Sequence, residues 1–499
     1  MKYPIGIQSF EKIRLGEYTY VDKTALIHQL VNTSNYYFLS RPRRFGKSLL
    51  ISTLQAYFNG QQELFKGLEM ERLEKEWTKY PVLHLDLNTS KYDEKNSLIN
   101  VLNDTLCQWE NIYGTVSSEV NPELRFKGII RRAYEQTGQR VVILVEEYDK
   151  PMLQAIGDEE LQNEYRNTLK AFYSVMKTQD RYIRFGFLTG VTKFGKVSVF
   201  NDLNNLIDLS MDRQFQTLCG MTDKEIHTYF EEPLHRIAEN YDITYDEACR
   251  RLKERYDGYR FRQNGTNLYN PFSLLNTFRS LEFGSYWFET GTPTYLVELL
   301  KKSNYNLQHI THEETDADVL NSIDSTSRNP IPVIYQSGYL TIKGFDKEFG
   351  TYRLGFPNRE VEEGFVKYLL PFYTNIDAIE SPFQIRKFVA EVRSGDYDAF
   401  FRRLQSFFAD TPYELVRDLE LHYQNVLFIV FKLIGFYVKA EYHTSQGRID
   451  LVLQTDHFIY VMEFKLEGTA EEALQQINDK HYAQAFAADK RQIFKIGIN

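Results

Sequence analysis

The stretch Asn35–Phe58, NYYFLSRPRRFGKSLLISTLQAYF, decides the fold. Between Asn35 and Ser40 it is aromatic and apolar, as a buried strand is. From Lys47 onward, Leu49, Leu50, Leu54 and Phe58 recur at the spacing of one helix face. Between them runs RPRRFGKS, a basic loop closing on Gly-Lys-Ser. Strand, loop and helix in that order make a phosphate loop, whose backbone N–H groups surround a β-phosphate. Lys47 would reach the β- and γ-phosphates, and the Ser48 hydroxyl would take Mg²⁺. The nucleotide is assigned Arg41, Arg43, Arg44, Phe45, Gly46, Lys47, Ser48 and Leu49. Arg41 stands where GxxxxGK[ST] has its first glycine, so that turn cannot use glycine-only dihedrals. The competing reading is an ordinary basic turn between strand and helix.

Working outward, strands alternate with helices over the first ~215 residues, which predicts a mainly parallel sheet. YPVLHLDL, RVVILVEEYD, IRFGFLTGV and NNLIDLS supply the other strands, the second apolar enough to be buried on both faces. That strand ends in Glu146 and Glu147, with Asp149 beyond. A P-loop ATPase needs one carboxylate near Mg²⁺ and uses another to polarise the attacking water. Glu146 takes the metal position and Glu147 the base. Aspartate is usual at the first, and one extra methylene moves the carboxylate by roughly a bond length, enough to slow hydrolysis while sparing binding. A solvated acidic strand cap is the bland alternative. Thr189 is assigned to the nucleotide as a γ-phosphate sensor, with Lys193 as a second candidate.

From about Met221 the texture changes. DKEIHTYFEEPLHRIAENY and TYDEACRRLKERY read as amphipathic helices capped by Asp223 and Thr244. Turn-rich aromatic segments follow, with a hairpin around Gly344–Gly350. A helical stretch from Pro382 leads through VLFIVFKLIGFYV into the strands YVKAEYH, RIDLVLQ and FIYVMEFKL. A helix over AEEALQQINDKHYAQAF and a last strand, QIFKIGI, close the chain. These shifts divide it into 1–220, a P-loop core; 221–375, a helical and mixed α/β middle region; and 376–499, an α/β domain of restriction-endonuclease type.

The second chemical cluster lies in that last domain. Side chains alternate across a strand, so Glu463 and Lys465 share a face. A tight turn near Asp456–His457 lets an antiparallel neighbour bring Asp450 beside Glu463. Two carboxylates hold a hard divalent cation and leave positions for water and phosphate oxygens. Lys465 would activate the water or offset charge on the phosphate. Glu420 on the preceding helix could add a ligand. Gln476 and Tyr482 on the following helix are assigned to a nucleic-acid backbone. Against this, Glu-x-Lys on a strand is often a surface ion pair.

Bulk properties narrow the field. The 499 residues exceed one core, and 35 Tyr with 36 Phe exclude a disordered chain. A net charge of −9 excludes a whole-surface polyanion trap, so nucleic acid would need local basic patches such as Arg41, Arg43 and Arg44. The three cysteines form no CxxC, which fits a reducing cytoplasm. The greasiest run is interrupted by Lys432 and is too short to span a bilayer. No membrane is expected, and homo-oligomerisation stays open because no arginine finger stands out.

Ordered motifs along nearly the whole chain resemble one bacterial family: AAA-ATPase-like proteins fused to a C-terminal PD-(D/E)XK nuclease-like domain. The motifs are PIGIQSFEKIR, YVDKT, RPRRFGKSLL, EEYDKP, LTGVTKF, YDGYRF, YNPFSLLN, TGTPTYL, YQSGYLTI, FPNREV, TSQGRID, MEFKL and ALQQI. The resemblance implies that Arg41 is normal for this loop and that YDGYRF and YNPF follow the ATPase core. It implies ATP and Mg²⁺ as cofactors, Mn²⁺ as an alternative at the nuclease site, and DNA ahead of RNA as partner. The chain departs from the family at Glu146, where aspartate is usual, and at Ile449, where the nuclease motif nominally has proline. The expected function is an ATP-binding, ATP-hydrolysing protein controlling a metal-dependent nuclease, by analogy in defence against foreign DNA. The alternative is a nucleotide-dependent switch whose nuclease-like domain only docks partners.

Overall fold

The computed structural model describes residues 1–193, 203, 205–289, 294–311, 313–321, 329–374, 376–377, 379–409, 419–445, 448–465 and 468–499. Backbone alone is described at 289, 294–295, 409, 419–420, 441–445 and 448–450. The chain forms two compact units, Met1–Thr290 with Glu314–Glu360, and Gly291–Glu313 with Val361–Asn499.

The first unit is built on five parallel strands: β1 (Tyr36–Ser40), β2 (Val82–Asp86), β3 (Val141–Glu146), β4 (Ile183–Gly190) and β5 (Ile207–Asp208). Their order is β2-β3-β4-β1-β5, so β1 is inserted between two strands that follow it in the chain. Every residue of β1 and β3 is buried. Continuous Val, Ile, Leu and aromatic runs suit strands covered on both faces. The helix Lys47–Phe58 leaves the end of β1 and packs Leu50, Ile51, Leu54 and Phe58 inward. Loops at the carboxyl ends of β1, β3 and β4 therefore converge where open parallel sheets bind ligands.

Past β5 the helices Asp223–Tyr229, Glu231–Asn240, Tyr245–Tyr256 and Pro271–Ser280 enclose Phe230, Leu234, Ile237, Leu252, Tyr256 and Phe278. Thr244 caps its helix as expected. At the first helix the cap is Thr222, not Asp223. The Thr222 hydroxyl accepts from Glu225 N–H while the Glu225 carboxylate accepts from Thr222 N–H. That reciprocal box satisfies two orphan donors at once, which an aspartate one residue later cannot do. The expected hairpin is present as β7 (Thr341–Asp346) and β8 (Thr351–Gly355), with β6 (Glu314–Thr315) on the other side of β8.

In the second unit the helices Ser381–Ser394, Tyr397–Ala409 and Leu419–Gly435 precede a four-stranded sheet. Its strands are β9 (Lys439–Ser445), β10 (Arg448–Gln454), β11 (Phe458–Lys465) and β12 (Gln492–Ile498), in the order β12-β11-β10-β9. The first three are antiparallel, and β12 joins β11 in parallel. The connecting helix, Ala470–Asp479, lies so close that a Cβ at Gly497 would stand 2.0 Å from Ala470 O. The single helix expected over AEEALQQINDKHYAQAF is two elements. His481 is left-handed at φ 54°, which breaks the run, and Tyr482–Phe486 is a separate 3₁₀ turn. Among the described residues no helix is long and apolar enough to cross a membrane.

Candidate functional site

At the end of β1 the loop turns through two left-handed residues, Arg44 at φ 66° and Gly46 at φ 95°. Arg41 needs no such conformation, so glycine is dispensable there. The side chain of Lys47 is 4 % exposed. Its Nζ donates to Arg41 O at 2.9 Å and Pro42 O at 3.3 Å, and lies 3.2 Å from Glu147 Oε1. The Ser48 hydroxyl donates to Glu146 Oε1. Glu146 Oε2 stands 3.8 Å from Nε2 of His84 on β2. Burial works to raise the Glu146 carboxyl, but His84, Ser48 and Lys47 outweigh it and hold it below its ordinary range.

These groups open on a cavity of about 440 Å³, within the range of small-ligand pockets. Arg43, Arg44, Lys47, Ser48, Glu146 and Glu147 are among its charged and polar lining. Its apolar lining draws on distant parts of the chain, among them Pro4–Ile7 before the first helix and Pro271, Phe272 and Leu275 at the start of a later one. Charged lining together with apolar lining suits a nucleotide, which carries a triphosphate and a base. Sequence reasoning missed the apolar wall. Its one signal was PIGI, an apolar run outside any predicted element.

The loop arginines divide. Arg41 is 1 % exposed, donates to Ser40 O at 2.9 Å and Ser210 O at 2.8 Å, and lies 4.1 Å over the Phe261 ring. Its guanidinium therefore braces the loop from behind, and only its carbonyl faces Lys47. Arg43 lies over Trp287 and Arg44 over Phe272, and both line the cavity. Thr189 is fully buried and its hydroxyl donates back to Val145 O at 3.3 Å. Lys193 pairs with Asp208 at 2.8 Å and also donates to Asn321. Among the described residues directly after β4, Val191 lines the cavity.

The Ser48 contact bears on the unusual acid at 146. Aspartate would draw the carboxylate back by about 1.5 Å, one carbon–carbon bond, away from Ser48 and His84. Glu146→Asp is therefore expected to lower ATP turnover by roughly 10- to 100-fold, read by steady-state phosphate release. Faster turnover would show that the longer side chain misplaces the metal.

In the second unit the register pairs Asp450 with Glu463 across β10 and β11. The side chains of Asp450 and Glu420 lie outside the described residues. Glu463 is fully buried and accepts from Gln476 Nε2 on the connecting helix. Lys465, two residues on, has its Nζ 4.0 Å from Glu472 Oε2. Gln476 thus meets Glu463 directly. Tyr482 does not join them, for it packs on Ile459, Val461 and Ile477 with Phe486 and Ile493. Among the described residues no three His, Cys, Asp or Glu side chains are gathered as a metal cage. The donors at both sites are hard oxygens, the set that Mg²⁺ takes along with several waters.

Parallel sheet, phosphate loop and paired acids define a P-loop ATPase-like domain. The mixed sheet beyond it, with its acid-acid-lysine strands, defines a nuclease-like domain. A family described as "Predicted AAA-ATPase" matches residues 4–200, and one described as "PD-(D/E)XK nuclease superfamily" matches 418–499. A protein of Azotobacter chroococcum mcd 1, "Uncharacterized protein in vnfD 5'region", is 35% identical over 513 residues, covering 100% of this chain and 96% of the relative. No solved structure matches. The chain belongs to the AAA-ATPase-like family that carries a C-terminal PD-(D/E)XK nuclease-like domain.

Proposed function

We propose that the protein binds and hydrolyses ATP and thereby controls a divalent-metal-dependent nuclease on the same chain, in the cytoplasm. The observation that carries the first half is the hydrogen bond between Ser48 and Glu146 on the cavity wall. Hydroxyl and carboxylate already share one point, where together they would hold Mg²⁺. A bound Mg²⁺ would supply positive charge against the charge developing on the phosphates. Lys47 moves from its loop carbonyls to the phosphates, and Glu147, now beside Lys47, orients the attacking water. The nuclease half is supported by the register of Asp450 against Glu463 and by Lys465 on the same face as Glu463. Asp450 and Glu463 would hold Mg²⁺ or Mn²⁺, with Glu420 as an added ligand. DNA is the favoured substrate over RNA, and defence against foreign DNA is the role suggested by analogy. The three-part division at about 220 and 375 follows the same reading.

The test is a cutting assay with ATP as the variable. Purified protein is expected to cut DNA only with Mg²⁺ or Mn²⁺, at a rate that ATP changes. Lys47→Ala should erase the change if the two activities are coupled. One observation favours a second reading, in which the nuclease-like domain only docks partners. Glu463 is engaged by Gln476, and Lys465 points within reach of Glu472, as in a structural ion-pair network. Absence of cutting under every nucleotide condition would select that reading.

A further inference from the structure

Beyond Glu146 the chain turns sharply. Glu147 has φ 54°, left-handed for a residue with a side chain, and such a conformation persists only where its surroundings over-determine it. Three contacts do so. Tyr148 N–H donates to Thr189 O at 3.0 Å. The buried Tyr148 ring packs edge-on against Phe38 of β1, with centroids 5.3 Å apart. Asp149, fully buried, receives Val191 N–H on Oδ1 at 3.2 Å, and the Thr192 N–H and hydroxyl on Oδ2 at 2.6 and 2.7 Å. Gly190 permits the approach, since a Cβ there would lie 2.5 Å from Asp149 Oδ1 and 2.7 Å from the Tyr148 ring.

The position calls for a group that only accepts. Three donors converge on two oxygens, and two of the donors are amides that cannot rotate away. A buried carboxylate is a costly way to meet that need. Burial, together with the charge of Glu147, pushes the Asp149 pKa up to about 7. The loop it holds also serves two other places: Val191 lines the nucleotide cavity, and Lys193 N–H donates to Gln336 Oε1 at 2.5 Å.

We propose that Asp149 is a positioning residue for ATP hydrolysis: it pins the left-handed turn at Glu147 to Val191 and Thr192 and so aims the Glu147 carboxylate into the nucleotide cavity. The proposal rests on the reading of Glu147 as the group that orients the attacking water. Asp149 acts through Glu147 and touches neither nucleotide nor metal.

The experiment measures ATP affinity, steady-state hydrolysis and melting temperature for Asp149→Asn and for Thr192→Val, with Glu147→Gln measured alone and combined with Asp149→Asn. The asparagine turns one acceptor into a donor facing an N–H. Its kcat should fall roughly 100-fold, the cost of about 1 Å of misplacement, with ATP affinity within about twofold of wild type. Thr192→Val removes one of the three bonds and should lower kcat less, roughly tenfold, again sparing affinity. In the Glu147→Gln background Asp149→Asn should add no further loss, because both act through one group. Unchanged kcat in Asp149→Asn overturns the proposal. So does a joint fall of affinity, kcat and melting temperature in both Asp149→Asn and Thr192→Val, or a multiplied loss in the double. A wild-type protein that binds ATP without hydrolysing it sinks the hydrolysis reading and this proposal together, whereas a hydrolysing wild type with an indifferent Asp149→Asn sinks this proposal alone.

Discussion

Lys47→Ala protein is expected to show no rise in melting temperature with ATP and Mg²⁺, whereas wild type should show one. A ligand selective for the folded state at one hundred times its Kd adds about 2.7 kcal/mol, and that increment is what the variant forfeits. The physical reason lies in where the ammonium sits. It is nearly buried, satisfied by two loop carbonyls and close to Glu147, so it is held ready beside the space the phosphates must enter. Removing it leaves the carboxylates of Glu146 and Glu147 facing a polyanion with no lysine between them. Alanine also leaves the Arg41 and Pro42 carbonyls without this donor, so a modest loss of stability without ligand is expected, on the order of 1–3 kcal/mol. The comparison is therefore the ATP-dependent shift within each protein, not the absolute melting temperatures. A wild type that shows no shift at millimolar-range ATP would sink the phosphate-loop assignment.

Glu463→Gln is the companion experiment for the nuclease site, and its effect should be of similar size. The amide keeps the volume of a fully buried side chain and removes the charge that would hold a cation. Divalent binding and DNA cutting should vanish together, with cutting reduced by roughly 10³-fold or more, the scale on which one electrostatic group matters to a charged transition state. Lys465→Ala should separate the two, keeping metal binding and losing cutting, because an ammonium acts on water or phosphate and is no ligand. Lys465→Arg should not restore cutting, since guanidinium is longer and planar and stays charged. Isothermal titration with Mn²⁺ and a gel assay on linear DNA read both quantities. Wild-type protein that binds no divalent ion and cuts neither DNA nor RNA would leave the cluster as a structural ion pair.

What the sequence disclosed followed local periodicity. The five parallel strands, the helix at Lys47, the hairpin near Gly344 and the pairing of Asp450 with Glu463 are all written in short, contiguous stretches of chain. What it hid was long-range. Arg41 looks like a phosphate ligand until Phe261 and Ser210 O meet its guanidinium. The apolar cavity lining draws on Pro4–Ile7 and on Pro271, Phe272 and Leu275, and no local pattern links the two. Asp149 reads in the sequence only as one more acid beyond the strand, because its partners at Val191 and Thr192 are brought to it by the parallel pairing of β3 with β4. Tyr482 was placed on a continuous helix because nothing in its neighbours announces a left-handed His481.

The strand order also sets a timetable. β1 pairs Tyr36 with Gly186 on one side and Tyr37 with Ile207 on the other. On a ribosome adding about 5–20 residues per second, the phosphate loop is synthesised early, and its strand then waits roughly 10–30 s for either neighbour. Until those later segments leave the exit tunnel, Tyr36–Ser40 would be an unpaired, aromatic strand of the kind that sticks to other chains. Nucleotide cannot shelter it in that interval, because the residues that brace the loop from behind have not yet been made. Protection of the nascent chain then falls to whatever covers exposed strands in the cell, and the nucleotide site can be completed only once Leu275, the last residue on its wall, has been made.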